Sequence, residues 1–201
     1  MVLGDTAYDE WTAVLAGDAL LTLAFEILSA DTTHPDAAVR VELARTLAHA
    51  GGARGMVFGQ ALDLEADKRG VPETPTIADI TRLQSLKTGA LITASCEAGA
   101  ILAQAGAAER QALRSYGMAL GFAFQIADDL LDAEGDAETV GKATGKDHAA
   151  GKATLVSLLG VEEARRRLGE AQAEAVAALE PFGNKAGTLT NAARFAAERA
   201  H

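Results

Sequence analysis

The sequence predicts an all-α protein. Hydrophobic residues make up 49% of its 201 residues, much of that Ala and Leu, while aromatics make up only 4%. Helix formers therefore outweigh strand formers. Four prolines leave room for long unbroken helices. The alternating, β-branched runs of a sheet protein are missing.

Residues 12–30 (TAVLAGDALLTLAFEILSA) read as an apolar helix with few charges, expected to be buried nearly all round. His34-Pro35-Asp36 ends that unit and starts the next. Residues 37–68 read as one long helix carrying glycines at 51, 52, 55 and 59. Residues 70–75 form a loop with two prolines. Residues 76–105 form a third helical unit, jointed near Lys87. Residues 108–133 form a fourth and end in aspartates. Residues 134–151 (EGDAETVGKATGKDHAAG) are polar and Gly-rich, a loop with at most a short helical turn. Two amphipathic helices follow, 152–180 and 186–200, separated by Pro181 and Gly183. No short-period repeat or linker interrupts the chain, so a single domain over 1–201, one helical bundle, is the simplest architecture. The 20 glycines, many inside helical patterns, signal close helix packing or room for a ligand. Each otherwise costs about 1 kcal/mol relative to Ala.

Composition excludes several function classes. A net charge of −10 makes the chain a poor general nucleic-acid binder. Any anionic ligand needs metal ions or local lysines to overcome the repulsion. The single cysteine, Cys96, fits a reducing, cytoplasmic setting. It reads as a small buried apolar side chain rather than a nucleophile. No stretch offers about 18 uncharged apolar residues, so neither export nor membrane insertion is expected.

The segment Asp128-Asp129-Leu130-Leu131-Asp132 carries the chemistry. With Gln125 at the origin of a helical wheel, Asp128, Asp132 and Asp129 fall at about −60°, −20° and +40°. All four side chains share one arc. Carboxylates so close repel and raise one another's pKa. A fold tolerates that at a solvated end or around a cation. Oxygen ligands of this kind suit Mg2+, which keeps waters and accepts substrate phosphates. Carboxylates ending a helix are also disfavoured by its dipole, a second reason to expect a cation. Gly121 and Gly117 continue that face, which suggests a groove for an apolar tail flanked by Phe122 and Phe124. A short acidic motif alone is weak. The apolar, Gly-rich helix preceding it (GMALGFAFQIA) is unlike a surface helix.

Beyond the aspartates lie Lys142, Lys146 and Lys152, with Asp147 among them. Lysines beside a metal–carboxylate site suit a diphosphate. Upstream, Gln60, Asp63 and Asp67 share a helical face. Asp67 reads as a solvated helix end. Lys87-Thr88 opens an apolar helix, where a cation opposes the dipole and becomes a candidate anion contact.

Together these segments resemble the trans-prenyl diphosphate synthases, the farnesyl and geranylgeranyl diphosphate synthase family. The likeness lies in LAGDALLTLAFEIL (15–28), GQALDLEAD (59–67), LKTGALI (86–92), YGMALGFAFQIADDLLD (116–132), GDAETVGKATGKD (135–147) and GKATLVSLLG (151–160), in the family's order. It runs from about Leu15 to the C-terminus and looks closest to bacterial short-chain synthases of the farnesyl type. The resemblance implies an all-α isoprenoid synthase-type bundle, Mg2+ as cofactor, a homodimer, and condensation of isopentenyl diphosphate with an allylic diphosphate. It implies metal binding by Asp128, Asp129 and Asp132, with Asp147 holding metal-bound water. It implies allylic diphosphate contacts from Lys87, Lys142 and Lys152, and polar groups near the reacting carbon from Thr88 and Gln125. Gln60 and Asp63 match the GQ-x-x-D segment that lines the cavity. The helix at 12–30 is a candidate for the dimer interface.

Several features depart from the family. Phe58-Gly59-Gln60 stands where two glycines usually precede the Gln. The family's first aspartate-rich motif and its basic GGKRxRP-like isopentenyl site have no counterpart before residue 15. The resemblance is therefore expected to cover a domain lacking its first helices. A piece of an ordinary synthase is the favoured account. The alternative is a relative with a diphosphate-binding or partner-subunit role. A structural bundle with an incidental acidic patch is a third reading. Either of the first two predicts that this chain by itself lacks full synthase activity.

Overall fold

The computed structural model describes the backbone of residues 10–140 and 153–198, with side chains from 11–133 and 153–198. Every regular element among the described residues is helical: α1 (Glu10–Ser29), α2 (Ala37–Gly51), α3 (Met56–Arg69), α4 (Ile77–Gln84), a π turn (Ser85–Gly89), α5 (Ala90–Leu102), α6 (Ala107–Val140), α7 (Leu155–Leu159), α8 (Val161–Ala178), a 3-10 segment (Glu180–Ala186) and α9 (Gly187–Glu198). The chain divides into two compact units, 1–45 and 46–201.

The first unit holds α1 and the start of α2. Asp36 caps α2, its carboxylate accepting the Ala38 N–H at 2.8 Å. Arg40 braces the connection from above, donating to the His34 carbonyl at 2.6 Å and pairing with Asp31 at 2.6 Å. The expectation that α1 is buried is overturned. Trp11, Val14, Leu15, Leu20, Leu21, Leu23 and Ile27 are all exposed. An apolar pattern records what a helix would gain from cover, not that the cover is present. Trp11–Ser29 has a mean hydropathy of 1.6 and is long and apolar enough to cross a membrane by length and composition. It carries two charged residues, Asp18 and Glu26.

The second unit is built around α6, which packs along α8 and α5 and meets α9 and α7. Two apolar clusters flank it. One joins Ile126, Ala127 and Leu130 of α6 to Ile80, Leu155 and Leu168. The other joins Tyr116 to Ala175, Leu179 and Ala193. The Tyr116 hydroxyl donates to the Leu189 carbonyl at 2.8 Å and ties α9 to α6. Cys96 packs beside this second cluster, and burial pushes its thiol up to about 11, consistent with an inert side chain.

Three element boundaries differ from the sequence reading, and one joint lies where it was expected. The helix expected over 37–68 breaks at 52–55, where Gly52 and Gly55 bring their backbones against Ala48 and Ala50. A Cβ at Gly55 would lie 2.0 Å from the Ala50 carbonyl oxygen, so this bend needs glycine. The joint expected near Lys87 is present as the π turn. The aspartate helix continues to Val140, where a loop from 134 was expected. The segment expected as one helix over 152–180 splits at Gly160, whose φ of 80° stops α7.

Candidate active site

The π turn sits between α3 and α6 with almost no gap on either side. A Cβ at Gly59 would lie 2.3 Å from the Lys87 nitrogen, and one at Gly121 would lie 2.9 Å from Gly89 Cα. Gly117 likewise backs on to Thr93, at 2.7 Å from its Cα. These glycines let three backbones touch. Of the two readings open for them, close packing is the one realised. The groove expected below the aspartates along Gly117 and Gly121 is filled by the π turn and α5. Phe122 packs toward α8, where it lines a shallow cleft with Arg166, Arg167 and Glu170.

One turn beyond each glycine, a polar side chain reaches the π turn. Asp63, four residues after Gly59, accepts from Lys87 Nζ at 2.5 Å. Gln125, four residues after Gly121, accepts from the Thr88 hydroxyl at 3.0 Å through Oε1. The extra residue of a π turn changes the angular spacing of side chains, and such turns recur at functional sites. Here consecutive residues serve opposite neighbours, Lys87 toward α3 and Thr88 toward α6. Lys87 lies within a continuous helical run, so the helix-start argument for it does not hold. Its ammonium is held by the carboxylate of Asp63, which is only 6% exposed. Gln60 is half-buried beside Gly59, and Asp67 is exposed, as expected.

The three aspartates separate. Asp128 and Asp132 face solvent, while Asp129 is 8% exposed. Gln84 Nε2 donates to Asp129 Oδ2 at 2.9 Å, and Gln125 Nε2 donates to Oδ1 at 3.1 Å. The Leu155 backbone N–H donates as well. Burial raises the Asp129 pKa, the three hydrogen bonds oppose that rise, and the Asp128 charge is the smallest contribution. Mutual repulsion, the cause expected from the sequence, is therefore secondary. The dipole argument also weakens, because α6 runs on to Val140 and the dipole acts mainly in the last turn.

Among the described residues no group of three His, Cys, Asp or Glu side chains converges as a metal site. Mg2+ does not require one: it is commonly held by one or two carboxylates, waters and substrate phosphates. Asp128 and Asp132, one turn apart and both exposed, fit that ligand set, with Asp129 turned inward behind them. Lys142, Lys146, Asp147 and Lys152 lie outside the described residues.

The profile of the family described as Polyprenyl synthetase matches residues 4–186, more than half of the sequence. The chain belongs to the polyprenyl synthetase family. The match starts ahead of Leu15 and stops before the C-terminus. The chain is 44% identical over 164 residues to the farnesyl diphosphate synthase of Escherichia coli (strain K12), covering 80% of this chain and 53% of that protein. The crystal structure of an apo FPP/GFPP synthase from Zymomonas mobilis superposes with a TM-score of 0.80 at 46% identity, over 94% of this chain and 62% of that one. A geranyltransferase from Helicobacter pylori, complexed with magnesium and isoprenyl diphosphate, gives a TM-score of 0.74 at 32% identity, over 95% and 61%. The chain thus spans between half and two thirds of the length of these proteins. The likeness to the Zymomonas mobilis structure bears out the predicted all-α fold of isoprenyl diphosphate synthases.

Sequence reasoning missed Gln84. It lies four residues after Ile80, on the same face of α4, and both are buried. An amide at an apolar position of a helical stripe was the signal available.

Proposed function

We propose that this chain is a short-chain prenyltransferase of the farnesyl diphosphate synthase type, and that its described residues form the side of the site that receives the allylic diphosphate. The reading rests on one arrangement above all: Lys87 and Thr88, adjacent in one π turn, are held by Asp63 and Gln125, with Asp129 locked to that same Gln125 beside exposed Asp128 and Asp132. The relatives' names and the magnesium and isoprenyl diphosphate of the Helicobacter pylori complex support it.

In the proposed reaction the allylic carbon–oxygen bond breaks and diphosphate leaves. The double bond of isopentenyl diphosphate attacks the allylic cation, and a proton then passes to the released diphosphate. Mg2+, when bound, would neutralise charge on the departing diphosphate. Asp128 and Asp132 would hold it. Lys87, restrained by Asp63, would present its ammonium to the diphosphate oxygens at little further cost in side-chain order. Thr88 donates its proton to Gln125, which leaves the hydroxyl lone pairs available to face the cationic carbon. Fixed dipoles of this kind stabilise developing charge without reorganising.

We infer a homodimer from the broad apolar surface of α1, and a reducing, cytoplasmic setting from the free thiol Cys96. Calorimetry with inorganic pyrophosphate, with and without Mg2+, tests the site. Mg2+-dependent binding that Asp128→Ala abolishes is the expected result, and equal, weak heats in all cases would leave only a structural bundle. Incubation with dimethylallyl and isopentenyl diphosphates tests the expectation that this chain by itself lacks full synthase activity, and clear turnover to longer products would overturn that expectation.

A further inference from the structure

We infer that Gln84 is a positioning residue of this site, fixing the carboxylate plane of Asp129 and, through it, Gln125 and Thr88. The inference rests on the prenyltransferase reading and extends it to a residue on a different helix. Gln84 and Asp129 are 45 positions apart in sequence and meet in the interior, Nε2 to Oδ2 at 2.9 Å. Gln125 grips the other oxygen of the same carboxylate. Two amides on opposite oxygens prevent its rotation. Because Gln125 Nε2 is committed to Asp129, its Oε1 must turn to Thr88, and the Thr88 hydroxyl must donate to it. One amide on α4 thus sets, in three steps, the direction in which the Thr88 oxygen offers its lone pairs.

Folding alone does not explain an amide here. Gln84 is 8% exposed, and its Oε1 is buried with no hydrogen-bond partner among the described residues. A buried carbonyl without a donor is destabilising, and an apolar side chain of the same shape would avoid that loss. Gln84 therefore carries an orphaned acceptor in order to place a donor on Asp129. Without that donor, Asp129 is free to turn toward Asp128 and Asp132, changing both the charge and the spacing of the carboxylates offered to Mg2+.

Three proteins decide the matter: the unaltered chain, Gln84→Met, which keeps length but lacks the donor, and Gln84→His, which restores an N–H of similar reach. Mg2+-dependent binding of inorganic pyrophosphate is measured by calorimetry and thermal stability by scanning calorimetry. Gln84→Met should weaken pyrophosphate binding roughly tenfold, the scale of a hydrogen bond to a charged group. Its melting midpoint should stay within about 2 °C, because losing the orphaned acceptor offsets losing the bond. Gln84→His should recover most of the affinity. Unchanged binding in Gln84→Met, or a loss that merely follows a fall in melting temperature, overturns the positioning role while leaving the functional reading intact. No Mg2+-dependent binding by the unaltered chain overturns that reading and the inference together.

Discussion

Asp63 and Lys87 form the pair on which the residue-scale chemistry turns. A carboxylate only 6% exposed is costly to ionise without a partner, and the Lys87 ammonium at 2.5 Å supplies one. The Lys87 side chain is 35% exposed, so solvent screens the pair and its removal costs less than that of a fully buried one. Lys87→Met should destabilise the protein by about 1–2 kcal/mol in urea unfolding. Adding Asp63→Leu should recover much of that loss, because an apolar pair replaces a buried carboxylate that has lost its lysine. Pyrophosphate affinity should stay low in the double variant, since the anion contact is gone in either case. Lys87, Thr88, Gln125 and Asp63 were legible as polar residues at marked positions on apolar helices. The direction in which Asp129 faces was not. A helical wheel puts it within one arc of Asp128 and Asp132, and it does not show the donors on Gln84 and at Leu155 that hold it, with Gln125, on the inner side.

Glycine placement governs the element scale. In an ordinary helix interior, Gly→Ala gains about 1 kcal/mol. Gly169 of α8 meets nothing within 4 Å of an added Cβ, and Gly169→Ala should stabilise by about that amount. Gly59→Ala should have the opposite sign. Its Cβ would fall 2.3 Å from the Lys87 nitrogen, a backbone atom that cannot rotate away. Overpacking costs about 1–3 kcal/mol, enough to exceed the helix-propensity gain, and it would also push Lys87 from Asp63. Chemical denaturation of both variants checks the signs, and stabilisation by Gly59→Ala would contradict the close approach of α3 to the π turn. The sequence marked these glycines as special without deciding between packing and an open groove. The choice depends on which backbone lies opposite, and here that is a segment about thirty residues away in sequence for Gly59 and for Gly121.

At the scale of the whole molecule, the exposed apolar surface of α1 is the ground for the proposed homodimer. Contiguous exposed apolar faces promote association. Leu20 and Ile27 are two helical turns apart and therefore share a face, and both are more than half exposed. Replacing both with Glu should weaken self-association in sedimentation velocity, shifting the population toward monomer at a fixed concentration. The second unit, with its own two cores, should keep its helical circular dichroism. Monomer at all concentrations before the change would remove the proposed homodimer.

The amino-acid sequence by itself determined the all-α class, the break at Asp36, the joint at Lys87 and the family, because these are encoded locally in composition, capping residues and motif order. Four decisions needed the tertiary structure. These were the inward turn of Asp129, the filling of the glycine face, the entry of Gln84 into the polar network and the exposure of α1. Each depends on what stands across from a residue rather than beside it in the chain. Periodicity reports which face of a helix is apolar or notched, but the free energy of that face is settled by the partner that meets it.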